Sequence, residues 1–387
     1  MRMPFSKSSR RPALVSVRDA RSQDAIALLI VMISILVLTI IAAGFAYSMK
    51  VEIKLARNAN SEAELEWLGR SGVEYCRWVL ANSMANPMEP YDSLTQPWAT
   101  GMGMLGPTNA PIAMVQNPLT LGRGEIHWKI TDLESKININ LPEPVLQQLM
   151  PRALDLAGIS PGESTPIMNA ILDWMDKDDQ THVQGAETSE YQSHNPPYQA
   201  KNGPIDDISE LLLIAGITPE MYYGSAATNY QANFFNRSHN PFGRNNDTVM
   251  VAPVALTNLF TPLSDGKINI NTASAEVLQC LPGVDALIAE AIVGGRSGED
   301  DGSGLMGPYR NVNQISRVPN IPLQLVGQIG QFCDVRSKTF KVDIEANIGG
   351  YKRFFTAILG RNSPRDVQIL SFYWSEATGE SQAEAPR

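Results

Sequence analysis

Asp176, Asp178 and Glu187 stand at positions 1, 3 and 12 of a twelve-residue window. The window lies in an acidic stretch, Asp173-Trp174-Met175-Asp176-Lys177-Asp178-Asp179, that runs on through Gly185-Ala186-Glu187 to Glu190. Hard carboxylate oxygens converging from one loop suit Ca2+. The loop is not an EF-hand: Thr181 occupies the place where that loop needs glycine, so another geometry and further ligands are required. The plainer reading of the same residues is a solvated acidic loop with Asp173 or Asp176 as a helix cap. His182 and His194 lie nearby, but no cysteine is close and carboxylates abound, which favours calcium over zinc. No G-x-S-x-G, H-E-x-x-H or phosphate-cradling glycine loop occurs, so the residues point to no catalytic machinery.

A second pattern is NTASAEVLQCLPGVDALIAEAI (271–292), which has the form of a helix-hairpin-helix. Such hairpins can grip a DNA phosphate with backbone N–H groups at a glycine-rich turn that opens a helix. Here Asp285 follows Gly283-Val284 where DNA-binding hairpins carry a second glycine. It caps the next helix and puts a carboxylate where a phosphate would sit. Gly158-Ile159-Ser160 offers the same turn earlier, again without the second glycine. Both hairpins read as packing units. A net charge of −9 opposes a broad nucleic-acid surface as well.

The two hairpins belong to an internal repeat. Lys136-Ile137-Asn138-Ile139-Asn140 returns as Lys267-Ile268-Asn269-Ile270-Asn271, followed by Val145-Leu146 and Val277-Leu278 respectively. Gly203-Pro204 leads to Ile208, Leu211, Ile214 and Ile217; Gly307-Pro308 leads at the same offsets to Val312, Ile315, Val318 and Ile321. Two related helical units, about 136–217 and 267–321, are expected. With 43% hydrophobic and 18% charged residues over 387 positions, the chain can bury several such cores. Only Cys76, Cys280 and Cys333 are present, so at most one bridge, Cys280 with Cys333, could form; three buried thiols is the alternative.

The elements around the repeat are legible from periodicity. From Ala25 to Tyr47 no charge occurs, and a helix of that length spans roughly the ~30 Å bilayer core. Arg2, Lys7, Arg10, Arg11, Arg18 and Arg21 precede it against Asp19 and Asp24, which places the start in the cytoplasm and the bulk outside. A cleaved secretory signal is the rival, though the apolar run exceeds a normal signal core. Helical spacing continues through Met49, Ile53, Leu65, Leu68, Val73, Val79 and Leu80. Asn82 to Leu121 reads as an irregular connection, and Glu125–Ile130 alternates as a half-buried strand. Residues 338–348, 351–360 and 366–374 alternate likewise between Gly349-Gly350 and Asn362-Ser363-Pro364, an antiparallel meander. The last residues, 376–387, have nothing to bury and read as disordered.

Taken in order, several segments resemble the minor pseudopilins of type II secretion, K class. They are Ile26-Ala27-Leu28-Leu29-Ile30-Val31, Arg70-Ser71-Gly72-Val73-Glu74-Tyr75, and Asp132-Leu133-Glu134-Ser135 running into the first Lys-Ile-Asn-Ile-Asn. Leu172-Asp173-Trp174-Met175-Asp176, Gly185-Ala186-Glu187, Pro196-Pro197-Tyr198, Lys201-Asn202-Gly203-Pro204 and the second Lys-Ile-Asn-Ile-Asn complete the series. The resemblance implies an α+β fold: a transmembrane, pilin-like long helix packed on an antiparallel sheet, with a large inserted all-α domain of two helix-hairpin-helix (SAM-like) units. The expected parts are a cytoplasmic leader (1–25), the helix (26–82), a connection with the first strands (83–140), the helical insertion (141–333), the C-terminal sheet (334–375) and the tail (376–387).

The resemblance also implies processing, partners and ligands. Prepilin peptidase would cut between Ala25 and Ile26, and the new amino terminus would be methylated. The family usually has glycine where Ala25 stands, and its leaders are mostly shorter. Residue five of the mature chain would be Ile30, where most pseudopilins carry a glutamate that pairs with a neighbour's terminal amine. K-class subunits lack that glutamate, which suits a tip position where no partner amine exists and a charge would lie unpaired in lipid. Structural Ca2+ would be held by Asp176, Asp178, Asp179 and Glu187 as a group. The implied partners are minor pseudopilins of the I, J and H classes, the major pseudopilin and the inner-membrane assembly platform, with the main domain periplasmic and no nucleic acid. The runner-up is a membrane-anchored extracytoplasmic DNA receptor, opposed by Asp285 and by the acidity.

Overall fold

The computed structural model describes residues 17–105, 113–224, 254–297, 307–319 and 321–375, and it divides into two compact units, 1–64 and 65–387. Part of the expected leader (1–16) and the tail (376–387) lie outside the described residues. One helix, α1, runs from Val17 to Ala85. In the first unit every side chain from 26 to 56 is exposed, and this is a helix long and apolar enough to cross a membrane.

In the second unit, from Leu65 onward, α1 packs on a five-stranded antiparallel sheet. The strands are β1 (Leu119–Leu121), β2 (Gly124–Asp132), β3 (Thr339–Ile348), β4 (Tyr351–Ser363) and β5 (Asp366–Ser375), in the order β5-β4-β3-β2-β1. Alternation of burial along β2 and β3 puts Ile126, Trp128, Ile130, Phe340, Val342 and Ile344 in one core. Gly349 and Gly350, at φ 56° and 90°, form the two-residue hairpin turn between β3 and β4 that only a positive φ at both positions allows. The connection 82–121 is less irregular than expected: α1 runs on to Ala85, a short helix, Pro97–Thr100, buries Trp98 edge-on to Phe340, Gly103–Leu105 pairs antiparallel with Ala113–Val115, and the stretch ends in β1.

The helix lies close to the sheet because two glycines one turn apart face it. A Cβ on Gly69 would stand 2.5 Å from the Phe355 ring, and one on Gly72 would stand 3.0 Å from Ile126 and 3.1 Å from Ile344. Gly69→Leu is therefore expected to cost about 1–3 kcal/mol through overpacking, despite leucine's better helix propensity. A urea-unfolding midpoint equal to wild type would show that the helix can lift without penalty.

β2 and β3 are hydrogen-bonded neighbours, with Trp128 opposite Ile344, yet residues 133–338 intervene between them. That insertion forms its own hydrophobic core from both repeat units. Each unit begins and ends in the same way. Ile137–Asn138 pairs in parallel with Phe260–Thr261, and Ile268–Asn269 with Cys333–Asp334, so the units extend to 261 and 334, beyond their expected limits at 217 and 321. The segments that close the units are short and outside the repeat's apolar frame, so periodicity does not mark them.

The repeated asparagines act on backbone. Asn140 Nδ2 donates to the Ile205 carbonyl (2.8 Å) and Asn140 Oδ1 accepts from the Ile205 N–H (2.8 Å). Asn271 makes the same two bonds with Tyr309, at 2.9 and 2.8 Å. Ile205 and Tyr309 each follow a Gly-Pro, so each unit is one loop clamped to its own first strand. Cys76, Cys280 and Cys333 are free and buried, so the Cys280–Cys333 bridge does not form and the thiols serve as small apolar groups.

A buried polar knot joins the two cores. Asp92 and Arg361, both with fully buried side chains, form an ion pair. The guanidinium also donates to the carbonyls of Leu80 (3.2 Å) and Ser337 (2.8 Å) and stacks 4.6 Å over Phe340. Asn269, the first asparagine of the second repeat, reaches the Asp92 carbonyl (3.1 Å), Asp132 Oδ2 (3.2 Å) and Ser337 Oγ (2.7 Å). Burial pushes the Asp132 carboxyl up, and the neighbouring Glu134 carboxylate adds to that. Four donors on Asp132, from Glu134 N, Asn269, Thr272 and Ser337, offset part of the desolvation.

Candidate functional site

The acidic stretch lies where the helix Pro161–Met175 ends and the connection to Gly203-Pro204 begins. Asp173 is on the last turn, fully buried, and Asp176 is the residue that stops the helix. Asp173 Oδ1 accepts from the His182 backbone N–H (3.0 Å) and sits against His182 Nδ1, and His182 Nδ1 is 3.8 Å from Asp176 Oδ2. Ligand atoms of Asp173, Asp176 and His182 all lie within 4.8 Å of one another.

Glu187 is 3% exposed, and among the described residues neither of its carboxylate oxygens has a hydrogen-bond partner. Asp173 Oδ2 and Asn202 Oδ1 are buried without partners too. Acceptors left dry in this way cost free energy unless something positive meets them. Burial pushes the Glu187 carboxyl up, and the Asp173 and Asp176 carboxylates push it further. Asp176 is shifted the same way by desolvation, with Asp178 and Asp173 adding, and the hydrogen bond to Asp173 raises His182. Gly185 is required here, since a Cβ would stand 2.0 Å from Asp173 Oδ2. A cluster of hard oxygens with unsatisfied lone pairs fits a divalent cation of the calcium type.

Of the residues expected to hold the ion, Asp176 groups with Asp173 and His182, and Glu187 is buried near enough to feel the charges of Asp173 and Asp176. Asp178 and Asp179 are exposed, and their carboxylates accept from Gln180 N (2.9 Å) and Asn202 Nδ2 (3.1 Å). Asp173, which reads in sequence as a helix cap, is the most buried carboxylate of the group. Its signal was the i, i+3 spacing to Asp176, which places two carboxylates on one face at a helix end. The processing pair, Ala25 and Ile26, lies within the α1 backbone, with Ile26 59% exposed.

The second hairpin turn carries its expected cap, whereas Ser160 in the first makes no side-chain cap bond. Gly283 is at φ +78°, and Asp285 Oδ1 accepts from Ile288 N at 2.8 Å, occupying the helix N-terminus with a carboxylate. Gly158 at φ +79° makes the same turn in the first unit, before Ser160.

Comparison with known proteins agrees with this architecture. Residues 132–224 match the family model for type II secretion system protein K, first domain, and residues 264–333 match a helix-hairpin-helix model. Type II secretion system protein K of Klebsiella pneumoniae is 33% identical over 115 residues, 27% of this chain and 35% of that protein, so the match spans about a third of that relative. The protein of the same name from Pseudomonas aeruginosa is 25% identical over 371 residues, 91% of this chain and 92% of that one. A chain in the crystal structure of the GspK-GspI-GspJ complex from enterotoxigenic Escherichia coli aligns with a TM-score of 0.57 at 19% identity, covering 83% of this chain and 99% of that chain. Together these matches make the chain similar to type II secretion system protein K along most of its length.

Proposed function

We propose that this chain is the tip subunit of a periplasmic pseudopilus, a structural component rather than an enzyme, that helps start assembly and limits filament length during protein export. The observation that carries this reading is the placement of a two-unit helical body between neighbouring strands β2 and β3 of a pilin-like sheet. A body of that bulk obstructs another subunit stacking above it, while the long apolar helix remains available to subunits below. Ile30 at mature position five, in place of a glutamate, suits a subunit with no neighbour amine to neutralise.

In this reading the protein sits in the inner membrane with a single span, its start in the cytoplasm and its main domain in the periplasm. Prepilin peptidase removes residues 1–25, and the amine of Ile26 is methylated. Its partners are minor pseudopilins of the I, J and H classes, the major pseudopilin and the inner-membrane assembly platform. A structural calcium ion is held by Asp173, Asp176 and Glu187, with Asp178 and Asp179 completing the loop around it.

Amino-terminal mass spectrometry of the protein from membranes checks the processing: an N-methylated Ile26 is expected, and an intact Met1 would contradict the assignment.

A further inference from the structure

The two repeat units close the same connection by different means. In each, a hairpin helix must be tied to the Gly-Pro that precedes the asparagine-clamped residue. In the second unit the tie is a side chain. Arg317 Nη2 donates to the Gly295 carbonyl at the end of the helix Ala286–Gly295 (2.7 Å) and to the Gly307 carbonyl across the loop. Its guanidinium lies 4.4 Å over the ring of Tyr309, the residue that Asn271 clamps. One cation therefore neutralises the negative end of the helix and holds Gly307 and Tyr309 beside it in the same contact.

Among the described residues the first unit has no such side chain at that place. Arg317 is the last residue of the 3-10 helix Val312–Arg317, and Leu213, the last residue of the 3-10 helix Ile208–Leu213, follows its own Gly-Pro at the same offset. Lys201, beside Gly203, is committed elsewhere, to Asp206 (2.7 Å) and Glu210 (2.8 Å). Direct contact between helix end and loop is the long bond from Gly203 N to the Trp174 carbonyl (3.4 Å). What the first unit has instead is the group of buried, unpartnered oxygens on Asp173 and Glu187.

We propose that Arg317 is the second unit's permanent counterpart of the ion in the first, so that calcium controls the order of the first unit's clamp and leaves the second indifferent. The inference rests on the calcium reading given above. The coupling path in the first unit is short. Asn202 Nδ2 donates to the Asp178 carbonyl (3.2 Å) and to Asp179 Oδ1, and Asn202 runs directly through Gly203-Pro204 to Ile205, the clamped residue. Order in the acidic loop thus passes to Asn140 through three residues of backbone.

The test is hydrogen exchange read by mass spectrometry on the full chain in detergent, in calcium and then in excess chelator. Chelation is expected to speed exchange at the Ile205 amide and across 176–203 by about tenfold or more while leaving Tyr309 unchanged. Arg317→Leu, the residue the first unit carries, is expected to speed exchange at Tyr309 in the presence of calcium, with calcium affinity by calorimetry the same as wild type. Arg317→Lys, which keeps the charge and loses the fork, gives an intermediate rate and serves if the leucine variant does not fold. Chelation that loosens Ile205 and Tyr309 alike, or an Arg317→Leu protein with wild-type protection at Tyr309, overturns the proposal. Absence of calcium binding by the wild type, measured with the metal alone, overturns the calcium reading and the proposal together and is a separate result.

Discussion

Arg361→Ala is expected to lower the stability of the second unit by about 3–5 kcal/mol, a large part of the ~5–15 kcal/mol that domains commonly have. The guanidinium is wholly buried and is the charge partner of Asp92, which is equally buried. Its removal leaves an uncompensated carboxylate in the interior, frees the carbonyls of Leu80 and Ser337, and removes the stack on Phe340. Because those groups come from α1, from the segment after the helical body and from β3, the loss is felt in both cores at once. Urea unfolding followed by tryptophan fluorescence measures it. The double variant Asp92→Asn with Arg361→Met should recover much of the loss, since it removes both charges. A single-variant loss under about 1 kcal/mol would mean that water reaches the pair.

Calcium supplies the second large effect. If the ion binds only the folded state, a concentration one hundred times its Kd adds about 2.7 kcal/mol to stability. For a body of this size that corresponds to a rise in Tm of roughly 5–10 °C. Glu187→Ala and Asp173→Ala should abolish the rise, because these side chains hold the dry oxygens that have no other partner. Asp178→Ala should diminish it much less, since that carboxylate is exposed and caps Gln180. Equal melting temperatures in calcium and in chelator would contradict the cation site, and equal effects of Asp178→Ala and Glu187→Ala would contradict the ligand assignment.

Much of this fold is written in local patterns. The strand at 338–348 is visible because alternation with a period of two is a direct record of which face is buried, whereas 351–360 buries Phe355–Leu359 in an unbroken run and 366–374 buries only Val367, so there the glycine and proline turns mark the strands more than burial does. The repeat is visible because its signature residues are few and identical. The role of its asparagines is not, since each clamps backbone far along the chain: Asn140 is 65 residues from Ile205, and Asn271 is 38 from Tyr309. The Asp92–Arg361 pair is separated by 269 residues and leaves no periodic trace at all. At the acidic loop, spacing picks out a group of carboxylates but cannot rank them. Asp178 and Asp179 look as good as Glu187 until burial is known, and the need for glycine at 185, which leaves room for the Asp173 carboxylate, shows only in the folded loop.

The glycines Gly69 and Gly72 carry a similar lesson. In sequence they are two weak points of a long helix, and in the structure they are the contact that seats it on the sheet. Propensity describes the isolated helix, and close packing overrides it here.

Locating this subunit on assembled filaments tests the central claim most directly. Electron microscopy of pseudopili carrying a gold-labelled tag on the helical body should show label at one end of each filament. Label distributed along the filament length would contradict the account, because it would mean that subunits stack above the inserted body.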